Sequence, residues 1–161
     1  MRSTKSRTRY ALLLAFNLVA APVGAIIGSA PALGVDNMNS PDAPDLTSVR
    51  AKIKAADYQG ALAELKPLAD TNQHADVYNL MGFSLRKLGD YPAALTFYKK
   101  ALDFNADHKG AREYLGELYV EMGDLPKARE QLAVLTKLCP QGCEEREDLE
   151  KALATKAAKA N

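Results

Sequence analysis

Residues 75–105, ADVYNLMGFSLRKLGDYPAALTFYKKALDFN, leave this chain little choice of fold. Val77, Leu80, Met81, Ser84, Leu85 and Leu88 recur at three- and four-residue intervals, which places them on one helical face. Tyr91, Ala94, Leu95, Tyr98, Ala101 and Leu102 repeat the pattern after a short corner. Gly89 can end the first helix in a left-handed conformation. Asp90 is a natural N-cap for the second, and Pro92 lies in its first turn, where a missing N–H costs nothing. The stretch is a helical hairpin, and it makes this an all-α chain.

The hairpin recurs. Gly123-Asp124-Leu125-Pro126 follows Gly89-Asp90-Tyr91-Pro92 by 34 residues, and Asp57-Tyr58 precedes Asp90-Tyr91 by 33. On that period Gly82 meets Gly116, Ala94 meets Ala61 and Ala128, Leu95 meets Leu62, and Met81 meets Leu115. Such a hairpin has an apolar face too large to cover alone, and stacking on its neighbours buries it. The period predicts helical pairs over 45–56 with 58–70, 75–88 with 91–105, and 109–122 with 125–138. Asp45 or Thr47 would cap the first helix, whose narrow apolar stripe is Leu46, Val49, Ile53 and Ala56. Pro67 is expected to end or kink the second helix early.

Over roughly residues 41–142 the chain resembles the tetratricopeptide repeat family. The resemblance rests on Met81-Gly82 and Leu115-Gly116, on the Gly-Asp corners, and on Ala94 with Tyr98 and Ala128 with Leu132. It implies a right-handed solenoid of about three hairpins, residues 42–74, 75–108 and 109–142, with a C-terminal capping helix over 143–161. Several positions depart from the pattern. Tyr78 and Arg112 stand where the family has tryptophan, and Ala106 where it has the closing proline that Pro140 supplies. In the first unit Val49 replaces the glycine and Lys52 an aromatic residue.

The predicted cap carries Glu144, Glu145 and Glu147 at its start and Lys151, Lys156 and Lys159 towards its end, the order that the helix dipole favours. Leu149, Ala152, Leu153 and Ala157 give it one apolar edge for the last hairpin. At the other edge, the outer side of Leu46, Val49 and Ile53 has no obvious cover, which leaves self-association open.

The N-terminus has a different purpose. Residues 1–9 hold Arg2, Lys5, Arg7 and Arg9, and no charge follows as far as Ala32. Leu12, Leu13, Leu14, Phe16, Leu18 and Val19 form an apolar centre, and Ala30-Pro31-Ala32 has the small-x-small pattern of a cleavage site. That order of parts is a secretory signal peptide. An uncleaved membrane anchor is the alternative, disfavoured by Asn17, Pro22 and the small residues Gly24, Ala25, Gly28 and Ser29. Residues 33–44 read as a flexible lead-in. Losing residues 1–32 removes four of the 21 basic side chains and none of the 20 acidic ones, leaving a net charge near −3. A mildly acidic protein is a poor partner for nucleic acid. Once its leader is gone, nothing calls for a membrane. Export in so small a repeat array points to a bacterial periplasm.

Cys139 and Cys143 flank Pro140-Gln141-Gly142 at the junction with the cap. In an exported protein a disulfide is the foremost reading, with a soft-metal site and a redox pair as alternatives. His74 and His108, in loops between repeats, read as solvated surface residues. No nucleophile–base pair, phosphate-cradling glycine loop or HExxH motif stands out, so the chain is expected to be non-catalytic and without a cofactor.

The family resemblance places a binding groove for a peptide or protein segment along the first helices of the hairpins. Its recurrent positions fall on Leu46, Arg50, Ile53 and Lys54, then on Asp76, Asn79, Phe83, Arg86 and Lys87, and last on Glu113, Glu117, Val120 and Glu121. The implied groove is bipolar: Arg50, Lys54, Arg86 and Lys87 at one end, Glu113, Glu117 and Glu121 at the other, Phe83 between. The family's clamp for a C-terminal carboxylate is missing, because Leu46, Leu80, Gly110 and Tyr114 occupy four of its places.

Overall fold

A computed structural model describes residues 43–160; the predicted signal peptide and residues 33–42 of the lead-in lie outside the described residues. The chain from Thr47 onward is a run of antiparallel helices: α1 Thr47–Lys54, α2 Tyr58–Thr71, α3 Ala75–Lys87, α4 Tyr91–Phe104, α5 Lys109–Met122, α6 Leu125–Leu138 and α7 Glu144–Ala160. They form three hairpins, α1–α2, α3–α4 and α5–α6, each stacked on the next, with α7 closing the array against α5 and α6.

One device builds every corner. Asp57, Asp90 and Asp124 each accept a hydrogen bond from the backbone N–H three residues on, at Gly60, Ala93 and Lys127. This satisfies a donor that the helix itself leaves unpaired. Before each aspartate one residue turns left-handed: Gly89 with φ 84°, Gly123 with φ 81°, and, at the first corner, Ala56 with φ 58°. Ala56 therefore holds a conformation that its Cβ disfavours, and α1 ends sooner than its apolar pattern predicts. It also starts later. Asp45 accepts from Thr47 N–H at 2.9 Å, and Leu46, without a capping side chain, becomes the N-cap.

Pro67 does not shorten α2, which runs on to Thr71. The proline is on the exposed side, where water can satisfy the carbonyl it leaves without a partner, and the Thr71 hydroxyl donates to the Pro67 carbonyl. The histidines are a second correction. His74 and His108 are the N-caps of α3 and α5, their Nδ1 atoms accepting from Asp76 and Ala111 N–H. His108 is 5% exposed and so is no solvated loop residue.

The core has two parts. In the first, Leu46, Val49, Ala61, Leu65, Val77, Tyr78 and Leu80 pack together, so Leu46 and Val49 are covered within the array rather than left at an open edge. Tyr78, in the tryptophan place, is buried and donates to the Ala69 carbonyl. Its counterpart Arg112 replaces packing with hydrogen bonds, donating to the Ala106 carbonyl and to Gln131 Oε1.

The second part contains Tyr98, Leu115, Leu118, Val120, Leu135 and Leu149. Two bare-backbone notches organise it. A Cβ on Gly82 would lie 2.7 Å from the Tyr98 ring, and one on Gly116 would lie 2.4 Å from Leu149 Cδ2. Leu132 stands where Tyr98 does one repeat earlier; it is smaller, and Leu149 of α7 takes the notch instead. The predicted cap is thereby a structural part of the last repeat. Its link to α6 is the Cys139–Cys143 disulfide, with α-carbons 6.0 Å apart.

Candidate binding groove

The first helices of the hairpins share a face, and the side chains on it meet in two adjoining hollows. The smaller, of about 200 Å³, is lined by Arg50, Ile53, Lys54, Leu80, Phe83 and Tyr114. Phe83 is only half-buried, as its helical phase predicts. Its ring centroid lies 4.9 Å from that of Tyr114 and 6.3 Å from that of Tyr58. The Lys87 ammonium sits 5.2 Å above it. Of the residues assigned to the groove, Arg50, Lys54 and Phe83 line this hollow and Lys87 stands over the Phe83 ring.

Arg86 is not an open groove cation. It is 4% exposed, its guanidinium 5.6 Å from both the Phe83 and Tyr114 ring centroids. Glu117 of α5 meets it at 2.6 Å, and Glu121 lies 3.8 Å away. Burial works against its charge, but Tyr98 and Glu117 outweigh that and raise its pKa. The pair ties α3 to α5 and removes one charge from each end of the bipolar pattern. Val120 is a second correction. At 7% exposure it belongs to the core cluster that Leu149 completes, so it faces packing rather than a ligand.

The larger hollow, of about 420 Å³, lies between α1, α3, α5 and the start of α7. Asp76, Asn79 and Glu113 line it, joined by His108, Tyr114 and three acids of α7: Glu144, Glu145 and Asp148. Asp76 is held by His108, whose Nε2 lies 2.9 Å from Asp76 Oδ1. Because Nδ1 of that ring accepts from Ala111 N–H, Nε2 carries the proton and donates. This bond, aided by the charge of Arg50 and opposed by burial, holds the Asp76 carboxyl below the usual carboxylate range. Glu113, 8% exposed, goes the other way. Burial first, then Glu117, Asp148 and Glu145, push it up to about 8.

The sequence reading leaves Tyr58, His108 and the three acids of α7 out of the groove, and names Tyr114 only as the occupant of a place in the missing carboxylate clamp. Tyr114 could have been found, since the period puts it at the place of Leu80, on the groove side. A histidine N-cap is outside the usual set of capping residues, and the acids reach the groove only through the packing of α7.

Sequence models described as tetratricopeptide repeat match residues 46–108 and residues 85–153. No curated protein matches the chain. Among solved structures, the Yersinia enterocolitica type III secretion translocator chaperone SycD, crystallised as an alternative dimer, superposes with a TM-score of 0.63 at 14% sequence identity. That superposition covers 76% of this chain and 99% of the crystallised chain. Repeat period, hairpin geometry and the two matched stretches, which together run from residue 46 to 153, agree: the chain belongs to the tetratricopeptide repeat family.

Proposed function

We propose that this chain is a non-catalytic interaction module, and that the face shared by α1, α3 and α5 holds a segment of another protein. One observation carries the reading. Phe83 and Tyr114 form an aromatic pair, neither ring fully buried, that sits at the smaller hollow and adjoins the larger, more polar one. Aromatic rings left partly exposed between hollows are what an apolar side chain of an incoming segment needs. Charge orders the face on either side. Arg50, Lys54 and Lys87 lie around the aromatic hollow, and Glu113, Glu144, Glu145 and Asp148 around the other, so a bound segment has a preferred direction. Membership of a protein-binding repeat family supports the reading. So does the fold shared with SycD, which is described as a chaperone.

The charged leader, the apolar centre and the Ala30-Pro31-Ala32 site favour export to a bacterial periplasm. The Cys139–Cys143 disulfide suits that oxidising compartment.

Affinity capture from the exported fraction with the full chain, beside Phe83→Ala and Lys54→Glu variants, tests the groove. A protein retained by the parent and released by both variants supports it. Equal retention by all three refutes it. N-terminal sequencing of the exported protein tests the leader: a start at Leu33 is expected, and an intact Met1 would refute cleavage.

A further inference from the structure

The smaller hollow joins apolar side chains to unneutralised cations. Ile53, Leu80, Phe83 and Tyr114 line it together with Arg50 and Lys54, and Lys87 stands over the Phe83 ring. All three cations are exposed. Asp76 approaches Arg50 only to 3.9 Å and is already held by His108. Among the described residues, Lys54 and Lys87 have no carboxylate partner. Such a hollow suits an occupant that carries carboxylates on either side of an apolar side chain.

The chain holds that sequence next to the hollow. Residues 36–42, DNMNSPD, set Met38 between Asp36 and Asp42, and no basic residue occurs from Leu33 to Val49. They lie outside the described residues and lead into α1, the helix that gives the hollow Arg50, Ile53 and Lys54. Met38 precedes Leu46, the N-cap of α1, by eight residues, a reach of up to roughly 26 Å. Ile53 follows Leu46 by seven, which is only about 10 Å along the helix. The order of side chains agrees too. Along α1 the sequence is Arg50, then Ile53, then Lys54. A segment folding back over the helix meets them with Asp42, Met38 and Asp36 in turn.

From this juxtaposition we infer that the chain's own lead-in covers the smaller hollow, with Met38 between Phe83 and Tyr114 and with Asp36 and Asp42 against the cations. The inference rests on the proposed groove and supplies its regulation. An incoming segment must displace the lead-in, and it does so by presenting an apolar side chain flanked by acids. Methionine suits the place, since it is unbranched, fills irregular gaps and makes favourable sulfur contacts with aromatic rings. The cover need not be tight. A short tether holds Met38 at an effective concentration of about a millimolar, so an intrinsic dissociation constant of about 1 mM keeps the hollow covered about half the time.

Methionine ε-methyl NMR of the full chain reads the contact directly, with Met38→Leu identifying the Met38 signal. That methyl should lie upfield of the position of free methionine, displaced by the ring currents of Phe83 and Tyr114, and should show NOEs to both rings. Phe83→Ala, the pair Asp36→Asn with Asp42→Asn, and salt at about 1 M should each move it towards the free position. N-acetyl-phenylalanine methylamide, an apolar probe of the hollow, should do the same, and should bind Met38→Ser at least about twofold tighter than the parent. A Met38 methyl at the free position in the parent overturns the inference. So does a shift that the acid substitutions leave unchanged, or one that fades on dilution, which would put a second copy's lead-in in the hollow. Affinity capture separates the two readings. A free Met38 methyl, with a partner that Phe83→Ala and Lys54→Glu both release, leaves the groove standing without its cover. A docked methyl, with a partner that neither variant releases, leaves the cover and removes the groove as a protein site.

Discussion

Ala56→Gly should make this protein more stable, although glycine usually weakens a helical protein. At φ 58° the residue occupies the place that Gly89 and Gly123 hold at the other corners, with φ of 84° and 81°. An L-residue in that region costs roughly 1–2 kcal/mol. Glycine removes the cost but adds freedom to the unfolded chain, worth about 0.5–1 kcal/mol. The net expectation is a gain of about 0–1.5 kcal/mol, obtained from those two ranges. No packing change confuses the complementary experiment, because nothing lies within 4 Å of a Cβ at Gly89 or Gly123. Gly89→Ala and Gly123→Ala should therefore each lose about the same amount through the backbone alone. Urea midpoints at constant slope measure all three. Amide exchange in α1 and α2 should slow in Ala56→Gly, because an array senses such a change first in the hairpin that carries it. A loss of stability in Ala56→Gly, or no loss in the two reverse variants, would refute the reasoning.

Three further outcomes are expected. Arg86→Ala strands Glu117 and opens the contact between α3 and α5, so it should lose about 3 kcal/mol, while Arg86→Met with Glu117→Gln should lose much less; similar losses in urea unfolding would contradict the pairing. Gly116→Ala should lift Leu149 from its notch and speed proteolysis within α7, and Leu149→Ala in the same chain should relieve the clash without restoring full stability. Replacing both cysteines by serine should lose no more than about 2 kcal/mol, since so short a ring removes little chain entropy, and circular dichroism should still report the helices.

Helix positions were open to reading because they follow local rules. The limits of α5 and α6 agree with the periodic pattern, as Gly123, Asp124 and Pro126 are local punctuation. α1 departs from its pattern because hydrophobic phase is blind to the Asp45–Thr47 bond and to the left-handed Ala56. The site was legible in angle but not in distance. Phase puts Phe83 off the core face, and the residue is half-buried beside the smaller hollow. It assigns Arg86 and Glu117 to opposite ends of a charge pattern, whereas the spacing between α3 and α5 brings them to 2.6 Å. Val120 and the acids of α7 depend on where the last helix comes to rest, and that is decided by the side chain that fills Gly116.

The Leu149–Gly116 contact also bears on what happens when many copies are crowded together. The notch cannot distinguish its own chain's leucine from a neighbour's, so closure within one molecule prevails through effective concentration. The Cys139–Cys143 ring shortens the tether between knob and notch and keeps that concentration high. Reduced chains, with a looser tether, are accordingly the ones in which α7 can trade places between two molecules, making a dimer from contacts that the monomer already contains.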